Sequence, residues 1–250
     1  MVESMNYINR VAYNDPPLGS EASSDTQNAP PQAAWCVQVQ ALEKSGQIAE
    51  LARRIPATPQ FEAAFGAFAR GTLLQTEEAL IAIEDVLPGD RLITADGRTE
   101  TVLWIGKMRY TAQNDVMRKP LVRVLPDAFG PNRPENNTIL GPYARLLYPA
   151  PGVAKKTDVC SVTTPASAFL DNGTVVEALP PTEVQLYHLI LGRHAAVIAG
   201  GIAVETYHPG LHPLEHIEPR FKCLFPGLFP HVTHLADFGP LHYARSEMYP

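Results

Sequence analysis

Histidine is the residue type in this chain whose spacing first suggests chemistry. His208, His212 and His216 recur four apart, which on a helix would line three imidazoles along one face as metal ligands. His231, His234 and Asp237 form a second loose group. A metal-dependent hydrolase using this His-rich segment is therefore one reading. Pro209, Gly210, Pro213 and Pro230 interrupt both groups, however, and argue against the continuous helix that such a site would need. Packing or solvated histidines, with no metal and no cofactor, are the expectation. Glu84, Asp85 and Asp90 could act as paired acids, but Asp90 follows Pro88-Gly89 and is better placed to bind local turn backbone. Cys36, Cys160 and Cys223 are odd in number and far apart, so they make neither a disulfide framework nor a CxxC metal site. Cys160, between Val159 and Ser161-Val162, reads as a small buried hydrophobe.

The elements that must hold these residues are short. In 250 residues there are 24 Pro, about twice ordinary usage, which disfavours long helices and favours strands broken by turns. Hydrophobic residues at 45% are enough for a core. The net charge of −6 offers no electrostatic footprint for nucleic acid or an anionic membrane. No apolar run approaches the roughly 18 residues of a spanning helix, and no secretory leader is visible at MVESMNYINR. The expected location is cytoplasmic by default, with non-classical secretion as the alternative and no membrane insertion.

Along the chain, residues 1–33 have the composition of a disordered or loosely docked tail, in which Tyr7, Ile8, Val11 and Tyr13 are the residues able to dock. Residues 34–66 read as a helical lead-in. Ile48, Leu51, Ala52 and Ile55 at i, i+3, i+4 and i+7 predict a helix over 46–55, and Thr58-Pro59 opens a second one through about Phe65. From Gly71 the period changes to two. Strands are expected at 72–75, 79–83, 91–94, 101–106, 120–125, 138–140, 145–148, 158–163, 174–178, 184–191, 195–199 and 202–206. Pro88-Gly89-Asp90, Asp96-Gly97, Asn172-Gly173 and Gly200-Gly201 supply turns between them. Residues 208–250 lose that rhythm and read as a coil-rich extension wrapping an all-β body over 67–207.

Taken in order, FARGTLLQT (68–76), IAIEDVLPGDRLITADG (81–97), VLWIG (102–106), Tyr187-His188-Leu189-Ile190-Leu191, Arg193-His194 and AVIAGGIAVETYHPG (196–210) resemble the bacterial branch of the Hint family, the Hedgehog/intein autoprocessing domains. The resemblance implies an all-β, pseudo-two-fold horseshoe that rearranges its own backbone. In the family, a Cys at the start of the domain attacks the carbonyl before it. A His in a Ser-Pro-x-His block protonates the departing amide nitrogen, and splicing members end in His-Asn. An amide is a poor acyl donor without both the nucleophile and the acid.

Each of these positions is changed here. Ala67 stands at the nucleophile, Gly141 and Ala144 replace the Ser and His of the middle block, Glu205-Thr206 replaces His-Asn, and Gly200 replaces the Asn of Ala-Asn-Gly. A single engineered Cys-to-Ala change would explain Ala67 alone, so the joint pattern points to natural decay. Thr72 is the nearest downstream hydroxyl, but it lies five residues on, so its attack would need a large ring; it reads as part of a Gly-Thr turn. His194 reads as a residual hydrogen-bonding position. The expectation is a Hint-like domain that has lost self-cleavage and serves as a structural or interaction module, its remnant cleft open to a peptide or protein. The alternative is an active domain that cleaves itself near Gly66-Ala67 with an unanticipated nucleophile.

Overall fold

A computed structural model describes residues 34–112, 118–149 and 161–246. The tail, Cys160 and the start of the strand expected at 158–163 lie outside the described residues.

The chain opens with a hairpin of β1 (Ala34–Leu42) and β2 (Ile48–Pro56). This corrects the helix expected over 46–55 and most of the helical lead-in. The two strands pair in unbroken antiparallel register from Ala34↔Pro56 to Leu42↔Ile48. A tight turn closes them, with Glu43 N–H donating to Gln47 O at 2.8 Å and Gly46 at φ +82°. β1 supplies Val37 and Val39 on a buried face, and its backbone needs a partner on each side. β2 fills one side. Its apolar residues split accordingly: Ile55 is buried and Leu51 half-buried on one face, while Ile48 and Ala52 face outward. The helical spacing was coincidental, and sheet pairing overrode it.

The helix α1 (Pro59–Ala63) follows, with Pro in its first turn. It is pinned from the side by an ion pair between buried Glu62 and buried Arg118 at 2.8 Å. The Arg118 guanidinium lies 4.0 Å from the Trp35 ring centre and 4.2 Å from that of Tyr110.

Beyond α1 come β3 (Phe68–Ala69), β4 (Leu73–Gln75), β5 (Leu80–Ala82), β6 (Arg91–Ile93), β7 (Thr99–Tyr110), β8 (Leu121–Val124), β9 (Thr138–Leu140) and β10 (Arg145–Pro149). Then follow β11 (Ser161–Pro165), β12 (Val175–Ala178), β13 (Val184–Leu191), β14 (Ala196–Ala199), β15 (Ile202–Glu205) and β16 (Ala244–Arg245). Among the described residues these strands form two sheets. One runs β12-β8-β9-β3-β13-β7-β1-β2 with β6 also on β7; the other runs β16-β11-β10-β15-β14-β4-β5. The fold is all-β. Among the described residues, no helix is long and apolar enough to cross a membrane.

Two apolar clusters make the core. One gathers Phe68, Leu74, Leu92, Val122, Leu140, Leu189 and Val204. The other joins β1, α1 and β7 to the C-terminal extension through Phe61, Phe65, Trp104, Phe225, Leu228 and Phe229. The extension is short 3₁₀ turns and coil, and it is fastened at several points. Trp104 Nε1–H donates to Leu228 O at 2.8 Å, Tyr207 stacks on Phe229 with ring centres 5.7 Å apart, and Ser246 N–H donates to Thr163 O at 2.9 Å. β16 then pairs parallel with β11.

Candidate functional site

The Gly66–Ala67 bond emerges directly from α1 and is clamped by two strands. Gly66 N–H still donates to Glu62 O, at 3.1 Å. Ala67 N–H donates to Tyr187 O at 2.9 Å, and Gly141 N–H donates to Ala67 O at 2.8 Å. The next residue, Phe68, pairs with Leu140 on one side and Tyr187 on the other. Ala67 is 0% exposed and Ala144 1%, and both belong to the same apolar cluster as Phe68 and Leu140. Where the sequence pattern calls for a thiol and an imidazole, two methyl groups fill core volume. Gly141 is tighter still: a Cβ there would fall 1.9 Å from the Gly66 carbonyl oxygen and 2.5 Å from its carbon.

Thr72 is nearly buried, and its hydroxyl donates to Ala69 O at 2.7 Å. The hydroxyl thereby closes the turn after β3.

His194 belongs to a buried polar cluster near the end of β15. Its Nδ1 accepts from His242 N–H at 3.0 Å, which leaves the proton on Nε2, and Nε2–H donates to Glu205 Oε1 at 2.9 Å. Glu205, 3% exposed, also receives Arg245 at 2.9 Å and Arg145 at 3.3 Å. Burial pushes the Glu205 carboxyl up, but the His194 hydrogen bond and the Arg245 charge outweigh it and hold it at about 2. Thr206 turns its hydroxyl back to Ala195 O at 2.9 Å. Glu205-Thr206 is thus a cross-strand tie, and it carries no amide side chain that could cyclise.

Beside this cluster opens a cleft of about 240 Å³. Gln60 and Ala63 of α1, Tyr143, Arg145, His188, the segment Glu205–Pro209, Phe225 and Arg245 form its walls, with His212 and His216 among the lining residues too. Burial drives His188 down to about 3 and His208 to about 4, so both rings are neutral near pH 7. His208 is doubly engaged: Gly210 N–H donates to its Nδ1 at 3.0 Å and its Nε2–H donates to Gly239 O at 3.1 Å.

The spaced histidines line one cleft but do not gather as metal ligands. His212 faces Glu215 at 3.5 Å on the surface, His216 is exposed, and His208 has no lone pair left for a metal. In the second group, Asp237 accepts from Thr233 and His234 N–H as a turn cap, and His231 is packed between Phe229 and Phe238. Among the described residues, no three His, Cys, Asp or Glu side chains gather as metal ligands. Asp90 accepts Leu87 N–H at 2.8 Å within its turn, and Cys36 and Cys223 are exposed free thiols.

The Hint domain family matches residues 66–211, more than half of the chain, from the clamped bond through part of the cleft lining. This chain belongs to the Hint family. Among solved structures, the crystal structure of the MchDnaB-1 intein is similar at 16% identity and a TM-score of 0.34, covering 56% of this chain and 100% of that one. The solution structure of a bacterial intein-like domain from Clostridium thermocellum is similar at 16% identity and a TM-score of 0.38, covering 58% and 100% respectively. No curated protein matches.

Within this Hint domain, sequence reasoning singled out Ala67, Gly141 and Ala144 but gave His188 and Arg145 no role. His188 sits in the apolar run Leu186–Leu191, and Glu205 closes the apolar strand β15. An ionisable residue in such a run is costly to bury unless it is partnered or used, and that was the available signal. Arg145 follows directly on Ala144 and was not weighed. Arg245 had no signal, because only the folded extension brings it to Glu205.

Proposed function

We propose that this Hint domain no longer breaks its own backbone and works as a binding module through the cleft beside the former processing bond. What carries the reading is the filling of the old site. Ala67 and Ala144 are core methyls, and Gly141 leaves no room for a side chain against the Gly66 carbonyl. Proton transfer by a positioned acid is typically worth about 10²–10⁴-fold, and a covalent step needs a nucleophile; the methyl groups of Ala67 and Ala144 can supply neither. Thr72, the candidate substitute, already spends its hydroxyl proton on Ala69 O. The scaffold around the lost chemistry is intact, with a buried ionic cluster holding one wall of an open cleft.

The test is hydroxylamine trapping followed by peptide mapping of the full chain. A backbone ester or thioester at Gly66 would be captured as a hydroxamate, and the expected result is an unmodified Gly66–Ala67 peptide. Hydroxamate at Gly66 would sink the reading.

A further inference from the structure

The cleft differs in chemistry from the methyl-filled pocket beside it. Its floor carries the Arg245 guanidinium beside the Glu205 carboxylate, while His188 and His208 are neutral near pH 7. The donors are not all consumed. Leu189 N–H donates to His188 Nδ1 at 3.1 Å, so the ring proton is on Nε2, and that atom has no partner among the described residues. Arg245 spends Nε and Nη2 on Glu205 and on His208 O, and its Nη1 has no partner among them either. Glu205 Oε1 already takes His194 and Arg245, and Oε2 lies 3.3 Å from Arg145 Nε. Spare N–H donors on a guanidinium and an imidazole, beside a carboxylate held by His194 and Arg245, select an anionic acceptor.

The rest of the lining sets what is attached to that anion. Ala63, Tyr207, Pro209, Pro213 and Phe225 give an apolar wall. At about 240 Å³ the space is below the roughly 300–1,000 Å³ of sites for drug-sized ligands, so it holds one residue-sized group. A compact phosphate would leave the apolar wall in contact with water. Resting on the reading of this domain as a binding module, we propose that the cleft binds a carboxylate-terminated ligand, a peptide C-terminus with an apolar last side chain. The carboxylate takes Arg245 Nη1 and His188 Nε2–H, and the side chain lies against Tyr207 and Phe225. Charge-assisted hydrogen bonds from guanidinium to carboxylate supply the strength, and C-terminal carboxylate capture is a recurring mode of peptide recognition.

The experiment titrates the full-length chain, with ¹⁵N-labelled histidine, by calorimetry and NMR. The probes are N-acetyl-glycyl-leucine, its C-terminal amide, sodium acetate and inorganic phosphate. The acid is expected to bind saturably and to shift the His188 ring nitrogens, and the amide to bind about tenfold to a hundredfold more weakly. Acetate, which lacks the side chain, is also expected to bind more weakly. Arg245→Gln should abolish binding. Because Arg245 also holds Glu205, His188→Leu serves as a second variant expected to lose about tenfold, with His188→Gln restoring a neutral donor and most of the affinity. Equal binding of acid and amide, tighter binding of phosphate than of the acid, or no binding of the acid would overturn the proposal. Intact mass of the same samples keeps the two readings apart: a single uncleaved species upholds the inert domain whatever the titration gives, and cleavage refutes it even if the acid binds.

Discussion

Gly141 and the carbonyl of Gly66 are in backbone contact, so close that a side chain on Gly141 would have to displace the peptide that a processing domain cuts. The Ser expected at this position in the family cannot be seated beside that bond as it now lies. The peptide lies in the core, with Ala67 N–H donating to Tyr187 O and Gly141 N–H donating to Ala67 O.

Gly141→Ala is expected to destabilise the fold by about 2 kcal/mol or more, since overpacking a rigid backbone contact costs roughly 1–3 kcal/mol and this contact is severe. Urea unfolding of wild type and variant at pH 7 measures it; an unchanged midpoint would show that the Gly66 peptide can move aside freely.

Glu205→Gln should be among the most damaging single changes, at about 3 kcal/mol, because it removes a buried carboxylate that the partly buried Arg145 and Arg245 share. The pH dependence carries a further signature. Glu205 is held at about 2 in the fold against an ordinary 4.5, so its stabilisation is full above pH 4.5 and drains away as pH falls toward 2. The variant should lose that part of the acid limb in a comparison of unfolding free energies between pH 5 and pH 2.

His231 makes the opposite point about a buried base. Both ring nitrogens are buried without a hydrogen-bond partner among the described residues, and burial lowers the group to about 4 from 6.5. The unfolded chain binds the proton more readily, so His231 costs stability progressively as pH falls from 6.5 to 4. His231→Phe is expected to leave stability at pH 7 unchanged or raised by up to about 1 kcal/mol, and to flatten the loss between pH 6.5 and 4. Chemical unfolding at pH 7 and pH 4.5 checks both halves.

The extension from 208 onward is part of the core. Phe229 is fully buried and touches Trp104, Tyr207, Phe225 and Phe238. Phe229→Ala should cost about 3–5 kcal/mol and make limited proteolysis within 211–246 faster than in wild type. Unchanged protease resistance would mean that the segment is held mainly by its hydrogen bonds.

How much of this was legible beforehand depended on how local the cause was. The strands from 73 to 205 followed from period-two alternation between strong turns, because Pro88-Gly89-Asp90 and Asp96-Gly97 act within four residues. The strand at 48–56 was hidden, since Ile48, Leu51, Ala52 and Ile55 satisfy a helical period and only pairing with Ala34–Leu42 reveals the ladder. The small residues Ala67, Gly141 and Ala144 were readable as a pattern, but the contact of Gly141 with Gly66 was not, because it depends on how β3 and β9 are laid side by side. The ionic cluster was the least visible. His194, Glu205 and Arg245 come together only after β16 pairs with β11 at the far end of the chain.

The most direct test of the central claim is intact-mass spectrometry of freshly made full-length wild-type chain, incubated with and without dithiothreitol and hydroxylamine. The account predicts one species near 27.3 kDa in every sample. Two species spanning residues 1–66 and 67–250 would contradict it, and would mean that the clamped Gly66–Ala67 bond is still one this domain can break.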